Sequence, residues 1–176
     1  MPPNVPPVRP CATFAPVDDQ LRTLLDRLEI DDLLTRYATA VDLRDWALLD
    51  SVFTEDALLD YRSAGGIRGG FDEVRRWLAE VLPLFDVTQH LVVNRAVEID
   101  PDGRTARARS HFQNPNRLVV DGEPWLFVVG GCYHDRLVRS PSGWRITSRV
   151  EETLWWEHPM PGLPPTPYPL PDDAVV

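Results

Sequence analysis

A chain of 176 residues, 43% of them hydrophobic, holds enough apolar side chain for one domain with its own core. Its formal charge of −9 argues against a nucleic-acid partner, because phosphate recognition wants a basic surface. All 18 basic residues are arginine, which excludes a lysine Schiff base and a phosphate-loop lysine.

Residues 1–17 form a proline-rich extension, expected to be extended or disordered. The extension lacks the basic start and continuous apolar stretch of a signal peptide, and no apolar run approaches the ~20 residues that span a bilayer. Cytoplasmic residence away from membranes is therefore expected. Asp18 or Asp19 caps a predicted helix running to about Val41, with Leu21, Leu24, Leu25, Leu28, Leu33, Leu34 and Tyr37 as an apolar stripe. A short second helix fits residues 45–52, where Trp46, Leu49 and Val52 recur at helical spacing. Residues 54–56 read as a turn and 57–61 as a strand. The glycine-rich SAGGIRGG then leads into a helix over 71–82, which Pro83 helps to end.

Four strand-like segments follow, roughly 87–99, 106–114, 125–138 and 144–155. Pro101-Asp102-Gly103, Asp121-Gly122 and Pro141-Ser142-Gly143 supply the turns, so consecutive strands pair antiparallel. The expected fold is α+β, with N-terminal helices on the concave side of a strongly curved antiparallel sheet and a pocket inside. The domain spans 18–157, and 158–176 is a second proline-rich segment. Because that tail follows Leu154, Trp155 and Trp156 directly, its beginning is expected to pack on the domain, where it would act as a lid.

Few residues offer chemistry. Asp42 falls where the first helix ends, a poor electrostatic position for an anion; it is either an exposed helix-end carboxylate or is held there for a reason. In TQHLVVN, period-two alternation puts Thr88, His90, Val92 and Asn94 on the interior face and Arg95 outside. A lone strand histidine is structural unless a carboxylate fixes its tautomer and raises its basicity. Tyr61 shares a face with Leu59 and points inward, leaving Asp60 outside; its phenol needs a partner from protein, water or substrate. Tyr133 faces opposite to Cys132 and His134, toward the pocket. Arg149 is either a surface ion-pair partner or an anion hook at the pocket rim. GGIRGG lacks the strand–turn–helix context of a phosphate loop. Cys11 and Cys132, with His111, His134 and His158, have neither disulfide-framework nor metal-ligand spacing, so no metal is expected.

The ordered set RYATAVDLRDW, VFTEDALLDYRS, TQHLVVN, GGCYHDRLVR and GWRITSR resembles the SnoaL-like branch of the nuclear transport factor 2 superfamily. Within it the chain looks most like scytalone dehydratase and the bile-acid dehydratases, which remove water beside a carbonyl with an Asp–His pair and assisting tyrosines. The resemblance implies that Asp42, His90, Tyr61 and Tyr37 are catalytic; Asn94, Asn114, Tyr133 and Arg149 are further candidates for the substrate pocket, outside the matching motif positions. It implies a cofactor-independent lyase acting on a cyclic or polycyclic hydroxy-ketone, a small hydrophobic hydroxylated or carbonyl compound. A SnoaL-type polyketide cyclase is the second reading. A non-catalytic subunit, like the β-subunits of ring-hydroxylating oxygenases, is the third. A homodimer or homotrimer is expected, with Arg107, Arg109 and His111 on the outer face of the sheet.

Overall fold

A computed structural model describes residues 17–174. The proline-rich extension through residue 16, with Cys11, lies outside the described residues.

Helix α1 (Val17–Leu43) and the short α2 (Trp46–Asp50) precede strand β1 (Phe53–Asp60). Strand β2 (Arg68–Gly70) and helix α3 (Phe71–Val81) follow. The remainder is β3 (Val87–Thr88), β4 (Leu91–Ile99), β5 (Thr105–Val120), β6 (Glu123–Ser140) and β7 (Gly143–Glu157). The seven strands form one sheet in the order β2-β1-β7-β6-β5-β3, with β4 also on β5. All pairings are antiparallel except β1 with β7, which is parallel; α3 and the strands β2–β6 separate the two in the chain, a connection long enough to allow it. The three helices and the curved sheet form an α+β cone.

Helix α1 is anchored by Ile30, Leu33, Leu34, Tyr37, Ala40 and Val41, all buried. Fully burying an aliphatic side chain of this size contributes about 1.5–3 kcal/mol, so this stripe holds the helix on the sheet. The predicted stripe needs correction at its start. Leu21, Leu24, Leu25 and Leu28 are each more than half exposed. At about 100° per residue they lie on the side of the helix opposite Ile30, Leu33 and Tyr37. On the inward side of that first half stands Asp26, buried and paired with Arg139.

Two further expectations differ. Residues 54–56 continue strand β1 rather than turning, because Ile146 N–H bonds the Val52 carbonyl and seats the strand's start against β7. Strand β5 continues through Pro115, which ended the predicted strand. Its carbonyl accepts Gln89 N–H at 3.2 Å. The N–H that proline lacks would point to that same side, into the gap between β3 and β4 where the ladder is already interrupted.

The cone owes its bends to bulges. Gly131 sits at a register shift between β6 and β7, and a Cβ there would stand 2.1 Å from the Glu152 carbonyl oxygen. Only glycine allows that approach. The tail also packs, as expected. Trp125 Nε1 donates to the His158 carbonyl at 2.8 Å, the Tyr168 ring meets Trp156, and Asp173 bridges Arg62 and Arg68 at 2.8 Å each.

Candidate active site

Asp42 is positioned by a corner that the local sequence builds. Helix α1 stops because Arg44 takes a left-handed conformation, φ 55°, unusual for a side-chain-bearing residue. Two hydrogen bonds hold it there, from its Nη2 to the carbonyls of Leu82 at 2.9 Å and Phe85 at 2.6 Å. Asp45 then caps α2 by accepting from Leu48 N–H at 2.9 Å. Asp42, in the last turn of α1, is thereby turned toward the break between β3 and β4.

His90 lies in that break. Its backbone N–H, unused by any strand ladder, donates to Asp42 Oδ2 at 2.9 Å. Its Nδ1 meets Asp42 Oδ1 at 2.6 Å. Both carboxylate oxygens are therefore taken by one residue, and the imidazole is fixed at two points. With Nδ1–H donating to the carboxylate, Nε2 is the ring's free acceptor.

That ring lines a cavity of about 270 Å³. The polar groups in its wall are Tyr37, Tyr61, Asn114, Asn116 and Glu151, beside His90. The apolar wall comes from Trp77, Leu78, Phe85, Phe127 and Val129, with Met160 and Leu163 of the tail. A larger groove of about 730 Å³ runs along the start of α1 but is lined mostly by charged side chains and contains none of the predicted site residues.

The two tyrosines meet, Tyr37 Oη and Tyr61 Oη standing 3.2 Å apart. Burial pushes both phenols above their ordinary value, so both keep their protons and serve as hydrogen-bond donors. Tyr61 is held from behind by Trp77, stacked with ring centroids 6.1 Å apart. Gly66 makes room for that stack, since a Cβ there would lie 2.7 Å from the Trp77 ring. The glycine-rich segment is thus a close-packed turn behind Tyr61.

Four expectations need correction. Asn94 is exposed, on the outer face near His111, with Nδ2 to Nδ1 at 3.5 Å. A bulge between Val93 and Ala96, with Asn94 at φ 48°, reverses the strand's faces and brings Arg95 partly inward instead. Tyr133 points inward but ends below the cavity wall. It stacks on Phe112 at 4.4 Å and accepts from Asn114 Nδ2 at 3.3 Å. Arg149 is neither at the surface nor at the rim. It is fully buried, bonds Asp135 through Nε at 2.7 Å and Nη2 at 2.8 Å, and lies between the rings of Tyr37 and Tyr133. Asp60 turns from the cavity as expected, yet it is buried, beneath Arg62 and Arg68.

Sequence reasoning missed Glu151, which lines the cavity. Strand β7 buries Trp144 and Ile146, then Arg149, Glu151 and Thr153, so the inward parity switches. A register shift opposite Arg136 and Leu137 causes the switch. No local signal in GWRITSRVEE marks that position.

An α+β cone of helices and a curved sheet is the fold of the nuclear transport factor 2 superfamily. Within it, the SnoaL-like domain family model matches residues 22–150, and the chain belongs to that family. An uncharacterised protein of Mycobacterium tuberculosis is 45% identical over 126 residues, covering 72% of this chain and 84% of that one. Among solved structures, a Novosphingobium aromaticivorans protein named as a candidate aromatic ring hydroxylase is 29% identical, with a TM-score of 0.65 over 74% of this chain and 90% of its own. A second protein of that organism, named as a candidate scytalone dehydratase, has a TM-score of 0.72 over 86% of this chain and 97% of its own. At 18% identity it speaks for the fold alone.

Proposed function

We propose that this chain is a cofactor-independent dehydratase acting on a cyclic hydroxy-ketone. The observation that supports this reading is the doubly bonded Asp42–His90 pair, 2.6 Å apart, opening onto an apolar cavity with two phenols in its wall. His90 Nε2 would take a proton α to the substrate carbonyl, with Asp42 stabilising the imidazolium that forms. Tyr61, with Tyr37 behind it, would donate to the carbonyl oxygen as enolate charge develops. The β-hydroxyl then leaves, taking up one proton in exchange for the one His90 removed, so that the net loss is water.

The cavity limits the substrate. At about 270 Å³ it falls just under the ~300–1,000 Å³ range of drug-sized sites, which favours one or two fused rings over a larger polycycle. Met160 and Leu163 in its wall make the tail a natural lid.

The name of the ring-hydroxylase relative keeps the non-catalytic subunit in view. Such a subunit would have its pocket filled, whereas here an open cavity adjoins His90. The test is incubation of the purified chain with a β-hydroxy-tetralone, read by product mass. The expected product has lost water to give a naphthol; ring closure of an open-chain polyketide to an isomeric product would favour the cyclase. Wild-type turnover by both His90→Ala and Asp42→Asn would sink the mechanism.

A further inference from the structure

One titratable group in the cavity has no part in the reaction above. Glu151 is 7% exposed, and it lines the same cavity as His90. Its backbone carbonyl accepts Ser63 Oγ at 2.5 Å, and its Oε1 accepts Thr153 Oγ1 at 3.3 Å. The charged and titratable groups around it are Arg149 on its own strand, Tyr133 on β6, Tyr37 on α1, Tyr61 after β1, and His90 in the shared wall. Arg149 is the one fixed cation among them, and it is bound through two nitrogens to Asp135. Glu151 has no ion-pair partner among the described residues. A carboxyl buried without a cation is held as the neutral acid, because the ionised form loses its solvation.

We propose that Glu151 is the second proton-transfer residue of the cavity, donating as a neutral acid to the hydroxyl of an uncharged ligand. Resting on the dehydratase reading, the step balances as follows. His90 Nε2 takes the α-proton, and the C–H electron pair builds up as enolate on the carbonyl oxygen held by Tyr61; it then forms the new C=C bond as the C–O bond breaks. The departing oxygen keeps the C–O pair, takes the Glu151 proton and leaves as water. Imidazolium and carboxylate remain, and the proton passes from His90 back to Glu151 through that water. Burial pushes Glu151 up to about 7, only partly offset by the Arg149 charge, so the acid form is available at neutral pH. The same arrangement selects uncharged ligands, since the cation near the carboxyl, Arg149, is already paired with Asp135.

The test uses the full chain and two uncharged probes. α-Tetralone binds without reacting, and a β-hydroxy-tetralone can lose water. Trp77 is in the cavity wall, so its fluorescence reports tetralone binding. In the wild type, tetralone affinity should fall several-fold as pH rises through the Glu151 titration. In Glu151→Gln, which mimics the neutral acid but has no proton to give, affinity should be flat with pH. A second series in a His90→Ala background removes the imidazole from the profile. With the hydroxy-tetralone, Glu151→Gln should lower kcat about 100-fold with KM little changed.

A pH dependence that survives in Glu151→Gln with His90 also replaced by alanine overturns the proposal. So does wild-type kcat in Glu151→Gln alone while His90→Ala is inactive, and that result leaves the dehydratase reading intact. No water loss from the hydroxy-tetralone by the wild type, with tetralone affinity still following Glu151, removes the dehydratase reading and leaves Glu151 as the cavity's ligand-facing acid. Carboxyl NMR of the wild type, with Glu151 assigned by the Gln variant, must find its titration near neutrality.

Discussion

Two carboxylates in this cone hold a nitrogen partner at nearly the same distance and do opposite things. Asp42 meets His90 at 2.6 Å and Asp135 meets Arg149 at 2.7 Å. The first pair is partly open, with side chains 11% and 24% exposed, and His90 turns a free nitrogen to the cavity. The second is sealed at 0% on both sides, under two tyrosine rings. Contact distance alone therefore says nothing about role. What separates the pairs is whether a reactive atom remains after the partner is satisfied. Imidazole has two nitrogens and gives one to Asp42, whereas guanidinium bound in a sealed site has no basic atom to offer.

The largest expected effect comes from breaking the sealed pair. Asp135→Asn leaves the Arg149 charge buried and unpaired, which should cost about 3–5 kcal/mol and lower the thermal midpoint by on the order of 10 °C. Asp42→Asn should instead lower turnover about 10²–10³-fold while the midpoint moves little, because an open pair adds roughly 0–1 kcal/mol of stability. Equal destabilisation by the two variants, measured by thermal melts, would dissolve the distinction.

Glu151 sharpens the comparison, being a buried carboxyl with no ion-pair partner among the described residues. Its folded value of about 7 lies above the ordinary 4.5, so the native state binds this proton more tightly than the unfolded chain. The stabilisation is complete below about pH 4.5 and is lost as pH rises through about 7, up to ~3 kcal/mol. Denaturant melts should therefore find Glu151→Gln more stable than wild type at about pH 8 and equal to it near pH 4, where the acid is neutral in both states.

Smaller effects follow at the margins of the open pair. Truncation after Glu157 removes Met160 and Leu163 from the cavity wall and should weaken tetralone binding about tenfold, read by Trp77 fluorescence. Unchanged binding would deny the tail its role as a lid. Asn94→Ala, beyond the bulge on the outer face, should leave turnover within about twofold of wild type.

Much of this was legible beforehand. The helices-then-strands order, the turn residues and the family pattern named the cone, and they singled out Asp42, His90, Tyr37 and Tyr61. Those four positions stand on local features that a sequence displays: a helix end, a strand next to a turn, a glycine-rich corner. Asn94, Arg149 and Glu151 did not yield to the same reasoning, because period-two parity holds only while a strand keeps its register. The bulge in β4 turned Asn94 outward, and the shift in β7 turned Arg149 and Glu151 inward.

The sequence by itself determined the element order, the α+β class and the residue types available for proton transfer, since these follow from local periodicity and chemistry. Only the tertiary structure decided which of two similar carboxylate pairs stays open. That depends on where bulged strands from distant parts of the chain come to rest, and on how much solvent the packed rings leave behind.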